Sequence, residues 1–323
     1  MNGSFMGLPI GQINAHLSDE MVMRVGIPHR GGKLAFNACT KEYAAMVSAN
    51  AFWSQTKQEF SFPEYTDLSE LDFAMDSAGY VAMLMFKKKG KQAGMAGIFP
   101  WSMSQYVEFA TSCGSSWWSQ PDLCVEPELA GSEDEIQFRI KATATLLEGA
   151  LQTLYAWQNE LVKTCSARTI ANMLKPPVPV IQGWDAAHYE QSLELMTRVW
   201  ERWEPWLGAP ALIGVGSVCR RSLKHPTHGL YAVLERLRPL IPQTSRLHLF
   251  GVKGDCLGEM ASNSWMASAD SMAFDLGARI KAHQRGHSNS MVHRCAEMDR
   301  WMGAALARIA TGTDARIARP VTI

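Results

Sequence analysis

The chain has 323 residues, 47% of them hydrophobic, enough for a sizeable core arranged as one large barrel or two ordinary domains. Lys and Arg number 31 and Asp and Glu number 31, so the formal net charge is +0. That balance excludes a broad electrostatic grip on nucleic acid; any such binding has to use a local patch.

Short apolar runs bounded by Gly, Pro or polar residues recur along the chain: AAMVSANAF, LDFAMDS, WWSQPDLCVE, VPVIQG, ALIGVGSV, RLHLFGV and NSWMASAD. Helical periods lie between several of them. SEDEIQFRIKATATLLEGALQTLYAWQNEL opens with a Ser132 cap and an acidic first turn, then repeats apolar residues at three and four. KTCSARTIANMLKPPVPV reads as an irregular connection into a strand. DAAHYEQSLELMTRVWERW starts at Asp185 as N-cap, THGLYAVLERLRPLI follows the next strand, and an Ala- and Met-rich helix, within a segment of about 286–312, closes the chain. Alternating strand and helix favour a parallel sheet, and about seven or eight units fit a closed (β/α)8 TIM barrel, an α/β fold, as a single domain over 1–323 with insertions. No glycine-rich phosphate loop follows the first strand, which weakens a doubly wound alternative.

Seven cysteines stand singly with no Cys-x-x-Cys pair, which argues against a disulfide framework or a zinc ribbon. With 18 methionines they point to a reducing, intracellular setting. MNGSFMGLPIGQ lacks the basic and apolar regions of a signal peptide, and no apolar run approaches the roughly 18–20 residues that span a bilayer. The expectation is a soluble cytoplasmic protein with no membrane partner.

In a barrel, side chains at the C-terminal ends of strands face the active-site mouth. The apolar runs end in Asp76, Asp122, Gln182, Gly214 with Gly216, and Asp270. A single strand-end Asp is usually a cap or turn former. Several in succession point to one shared pocket.

The order and spacing of these pieces resemble the tRNA-guanine transglycosylase superfamily over about residues 40–285. DSAGY is similar to its Asp-Ser-Gly-Gly-Tyr/Phe motif, VIQGWDAAHYEQS to the strand ending in Val-Gln-Gly, IGVGSV to the base-binding loop, and HLFGVKG to a Leu-Met-Gly-Val-Gly segment. SADSMAFDLGARIKA is most similar to the phage and bacterial branch that exchanges guanine in DNA for a 7-deazaguanine. The resemblance implies a glycosyltransferase with Asp270 as nucleophile on C1′ and Asp76 as general acid and base. It implies that Asp122 accepts from the base's N–H edge, that Gln182 and the backbone of Gly183, Gly214 and Val215 read its carbonyl side, and that Tyr80 and Phe250 sandwich it. Asp255 and Asp275 are weighed as nucleophiles and set aside, Asp255 as a helix cap and Asp275 as a solvent-facing residue one turn into its helix.

Three departures from the family pattern stand out. Ala78-Gly79 replaces a glycine pair, Val81 replaces Gln, and Arg220 stands where enzymes that take an aminomethyl base carry Glu. The last favours a neutral nitrile, 7-cyano-7-deazaguanine (preQ0), as incoming base. The family's Cys-x-Cys-x-x-Cys…His zinc motif is also lacking. No cofactor is required by this chemistry, and His287, His293 and Cys295 are the candidates for a zinc site, with surface histidines on a basic helix end as the other reading.

DNA would be met by Arg220, Arg221, Lys224, Arg279 and Lys281, with KKKGK at Lys87–Lys91 read as a solvated loop. Trp117 and Trp118 are either core or a wedge in the duplex. The target base has to be flipped out or taken from single-stranded DNA. The same chemistry on tRNA, a non-catalytic base-binding barrel subunit, and a metal-dependent barrel hydrolase are the rival readings; no His-x-His after an early strand supports the last.

Overall fold

In the computed structural model, which describes residues 10, 11, 13 and 18–317, VMRVGI forms a first strand, β1 (Val22–Ile27). Arg24 interrupts its apolar pattern and hides the strand in the sequence. Arg24 is buried, and its guanidinium binds Asp72 with two bonds of 3.1 Å, so the charge is carried inside the sheet by a paired carboxylate.

The chain continues through α1 (Lys33–Thr40), β2 (Ala45–Ser48), a small antiparallel pair of β3 (Trp53–Ser54) and β4 (Glu59–Phe60), β5 (Phe73–Asp76), α2 (Gly79–Lys89) and α3 (Met103–Ser112). Next come α4 (Glu133–Leu161), α5 (Ala167–Met173), β6 (Val180–Ile181), α6 (Ala186–Leu207), β7 (Leu212–Val215) and α7 (Leu230–Leu237). The last elements are β8 (Arg246–Leu249), α8 (Leu257–Ala261), β9 (Met266–Ser271), α9 (Ala273–Gln284) and α10 (Met291–Ile317). Ser132 caps α4 by accepting the Glu135 N–H, and Asp185 forms a reciprocal capping box with His188 at the start of α6. The expected irregular stretch holds α5, capped by Ser166 but too short to show a period. The closing helix starts at Met291, after the polar run HSNS.

The seven long-range strands pair in parallel in the order β5-β2-β1-β9-β8-β7-β6, a sheet curled into a half-barrel. The eighth strand expected from WWSQPDLCVE does not form a ladder. Residues 117–120 instead touch both sheet edges by single bridges, Met75 with Trp118 and Ser119 with Val178. Four backbone hydrogen bonds of 2.8–3.0 Å make these contacts. Pro121 on one side and Pro176, Pro177 and Pro179 on the other have no N–H to donate, which keeps the pairing from extending. The Gln120 carboxamide fills part of the gap, accepting the Val180 N–H at 3.0 Å and donating to Thr143 O on α4 at 2.8 Å.

Two apolar layers follow from the curl. Inside it, Met46, Ala74, Trp117, Val178, Leu212 and Ala267 form a plug. Outside it, strand residues such as Val25, Val47, Met75, Ile213 and Leu249 pack against the helices. Trp117 and Trp118 are both core, the second also donating to Lys175 O, and neither can wedge a duplex.

Candidate active site

Each strand of the curl delivers residues at its C-terminal end to one cavity of about 410 Å3. Ile27 comes from β1, Ser48 from β2, Asp76 from β5, Gln182 from just after β6, Gly216 from after β7, Phe250 from after β8, and Asp270 from β9. Asp122 enters from the run after Gln120, in the position an eighth strand would occupy. A volume in this range is that of a small-molecule pocket.

Small residues after Asp76 do specific work. Asp76 Oδ2 accepts the Ser48 hydroxyl at 2.7 Å and the Ala78 N–H at 3.1 Å, which turns the chain sharply out of β5 into α2. Ala78 takes the left-handed conformation, φ 68°, that glycine adopts more cheaply. Gly79 lies so close to Asp122 that an added Cβ would sit 2.6 Å from its carbonyl oxygen and 2.9 Å from its carboxylate. That approach leaves Tyr80 and Val81 on the cavity wall.

The acids differ in their surroundings. Burial raises the Asp76 carboxyl, and neighbouring Asp270 raises it further, while the bond from Ser48 opposes both. Burial and then Asp76 lift Asp122 from 3.8 to about 7, against hydrogen bonds from Ser77 Oγ (2.6 Å) and from Gln182 Nε2. Asp270 keeps an opening to the cavity and accepts the Gly251 N–H at 2.9 Å.

Behind Asp270 lies His248, which sequence reasoning leaves inside an apolar strand. A register shift between Leu247 and His248 sets His248 opposite Ser268, two residues before Asp270 on the same face of β9. Its Nδ1 is 2.7 Å from Ser268 Oγ and its Nε2 is 3.4 Å from Asp270 Oδ1, longer than a well-formed hydrogen bond. A carboxylate only accepts, so the proton of this fully buried ring belongs on Nε2. Burial lowers the imidazole pKa and the charge of Arg24 adds to that, against the pull of Asp270, so the neutral ring is favoured.

Other residues fall differently from expectation. Gly183, Gly214 and Val215 do not line the cavity; Gly216 and Ser217, two residues further on, do. Gly214 instead makes room for Phe250, whose ring would be 2.5 Å from an added Cβ. Arg221 is buried and cannot meet DNA. Its guanidinium is spent on the carbonyls of Gly183, Trp184, Ser217 and His228 and on the Tyr189 hydroxyl, tying the two loops after β6 and β7 together. Arg220 is its opposite: it is exposed on the cavity rim, 3.9 Å from Glu128. Lys224 is exposed. Arg279 and Lys281 are paired with Asp275 and Glu297 on the α9–α10 face. Asp275 is buried between Arg279 and Arg294, not solvent-facing, and Asp255, in a short 3-10 turn, pairs with Arg308 of α10 instead of capping a helix.

Sequence reasoning also misses Ser48, Cys124 and Glu126 on the cavity wall. Among the described residues, no group of three or more His, Cys, Asp or Glu is placed to hold a metal ion. His293 Nε2 lies 2.9 Å from Ala278 O and the Cys295 thiol faces Lys33 O, while His287 stacks edge-on with His293. No helix among the described residues is long and apolar enough to cross a membrane.

A curled parallel sheet with carboxyls and aromatic rings gathered at its carboxyl ends has the layout of a barrel-like α/β enzyme pocket. The chain belongs to the DpdA family, DeoxyPurine in DNA protein A, which matches residues 66–319. Comparison with curated proteins found no match.

Proposed function

We propose that the protein exchanges guanine in DNA for a 7-deazaguanine, with 7-cyano-7-deazaguanine as the incoming base. Family membership supports a DNA-guanine transglycosylase type of activity. The observation that carries the reading is that Asp76, Asp122 and Asp270 line one cavity in three different electrostatic settings.

In this reading residues 117–120 serve as the eighth stave of a (β/α)8 barrel, holding Asp122 opposite Asp270. An Asp270 oxygen attacks C1′ of the deoxyribose, the bond from C1′ to the guanine nitrogen breaks, and its electron pair leaves with the base. Asp76, whose burial favours its protonated form, gives its proton to that base. The sugar is then held as a covalent ester of Asp270. The incoming base loses its ring N–H proton to Asp76 and bonds to C1′, expelling the Asp270 carboxylate and regenerating the starting state. Asp122 accepts from the N–H and amino edge of the base, Gln182 donates to its carbonyl, and Tyr80 and Phe250 form the walls of the slot. Arg220 at the rim sets a cation against an aminomethyl cation and pairs with Glu128, the neighbouring rim carboxylate, at 3.9 Å, which favours the neutral nitrile.

Incubation with labelled guanine and either duplex DNA or tRNA tests the reading. Label should enter DNA and be chased out by 7-cyano-7-deazaguanine. Incorporation into tRNA alone would overturn it. D270A should abolish exchange while base binding survives, and undiminished turnover would remove Asp270 from the nucleophile role.

A further inference from the structure

Glu126 plays no part in the exchange steps above, yet it lines the cavity with only 5% of its surface exposed. It ends a chain of side chains that begins at Asp122. Gln182 Nε2 donates to Asp122 Oδ2, Gln182 Oε1 lies 2.6 Å from Ser217 Oγ, and Ser217 Oγ lies 3.1 Å from Glu126 Oε2. Ser217 Oγ also accepts the Val125 N–H at 2.8 Å.

A serine hydroxyl carries one proton. If Ser217 gives it to Gln182 Oε1, it can meet Glu126 only as an acceptor, so Glu126 must hold a proton. If the carboxamide is turned over, Gln182 donates to Ser217, the hydroxyl serves an ionised Glu126, and Asp122 must hold the proton. Both arrangements satisfy every partner, and both keep one proton on two carboxyls. With no proton, two buried acceptors face each other unpaired. Ser77 donates to the other oxygen of Asp122 and favours its ionised form, which weighs toward the first arrangement above about pH 7, with Asp122 ionised and Glu126 neutral.

We propose that Glu126 is a positioning residue that holds this proton and, through Ser217, fixes the Gln182 carboxamide with its NH2 toward the base, so that the site takes 6-oxopurines and refuses 6-aminopurines. The inference rests on the base-exchange reading and names how its base site is set. A 6-oxo group needs a donor and a 6-amino group an acceptor, so the direction of one carboxamide decides between them. The surroundings favour the neutral acid: burial raises the Glu126 carboxyl and Glu128 adds to it, against bonds from its own backbone, Cys124 and Ser217. Asp122 adds negative charge, Tyr80, Tyr189 and Cys219 face the same region from α2, α6 and the loop after β7, and Arg220 is the cation at the rim.

The test is steady-state exchange of labelled guanine into DNA, with adenine as competitor, by wild type, E126Q, E126A and S217A. Measurements run from about pH 6 to about pH 9, with thermal melting as the check on folding. E126A and S217A should raise KM for guanine about ten- to a hundredfold, the cost of an unmet buried bond, with kcat changed less than about threefold. Adenine should then compete. E126Q, whose amide donates at any pH, should keep the wild-type KM near neutrality and lose the alkaline rise in KM that wild type shows as Glu126 ionises. Unchanged KM and continued exclusion of adenine in E126A and S217A would overturn the inference, as would an E126Q alkaline limb identical to wild type. The E126Q comparison decides alone where the alanine variants do not fold. Absence of exchange by wild type would overturn the function reading and this inference together.

Discussion

Replacing Asp122 with asparagine should stabilise the protein at neutral pH while stopping base exchange. Asp122 is enclosed, and burial with the nearby Asp76 lifts its carboxyl from 3.8 to about 7. An acid whose folded value is above its unfolded value favours folding only in its protonated form. The penalty is therefore absent below about pH 4, grows as pH climbs from the unfolded value toward the folded one, and levels off above about pH 7. At about 1.4 kcal/mol per pH unit the plateau is roughly 4 kcal/mol. The carboxamide of D122N carries no charge, keeps an oxygen for the Gln182 N–H, and can donate to Ser77 Oγ. With about 2 °C of melting temperature per kcal/mol in a chain this large, D122N should melt up to about 8 °C above wild type near pH 8. The gap should close near pH 4. Scanning calorimetry of both proteins across that interval is the assay. A gap independent of pH, or wild type the more stable near pH 8, would refute the account of Asp122.

Further outcomes follow from four single substitutions. A78G should leave the protein unchanged or up to about 1 kcal/mol more stable in chemical denaturation, because glycine tolerates φ 68° without strain. R221A should cost about 3–5 kcal/mol by leaving several buried carbonyls without a donor, whereas R220A should leave melting unchanged and lower the slope of log affinity for DNA against log salt by about one. Equal melting of the two variants would contradict their assigned placements. S268A removes the hydroxyl beside His248 Nδ1 and should slow kcat about tenfold with little change in KM for base, read in single-turnover exchange, because the imidazole behind Asp270 loses its orientation.

Asp76, Asp122, Gln182 and Asp270 are legible as neighbours in the sequence because each follows an apolar run, and parallel strands bring their ends to one side. The limit of that signal shows at ALIGVGSV. Its apolar pattern marks a strand but not where the strand stops, so it points to Gly214 and Val215 where Gly216 and Ser217 face the cavity. Arg220 and Arg221 look interchangeable in sequence, yet Arg220 has φ 59° and the two side chains part, one to solvent and one inward. Glu126 sits in an aperiodic run after Pro121, where no pattern reports burial. His248 is hidden by a register shift that is a property of strand pairing, not of either strand alone. The first strand goes unseen for a simpler reason: the ion pair that neutralises Arg24 lies 48 residues away at Asp72.

The contact between the sheet edges through residues 117–120 has a mechanical consequence. A cylinder laced all round by ladders has a set circumference, but a half-barrel whose two edges meet through a short irregular run, by isolated bridges and a glutamine side chain, has a weak hem. Amide protons of Ser119, Gln120 and Val178 should therefore trade with solvent sooner than those of β1 and β9 on the far wall. Asp122 stands two residues past that hem, so any loosening there moves a wall of the pocket first, well before the helices around it feel the change.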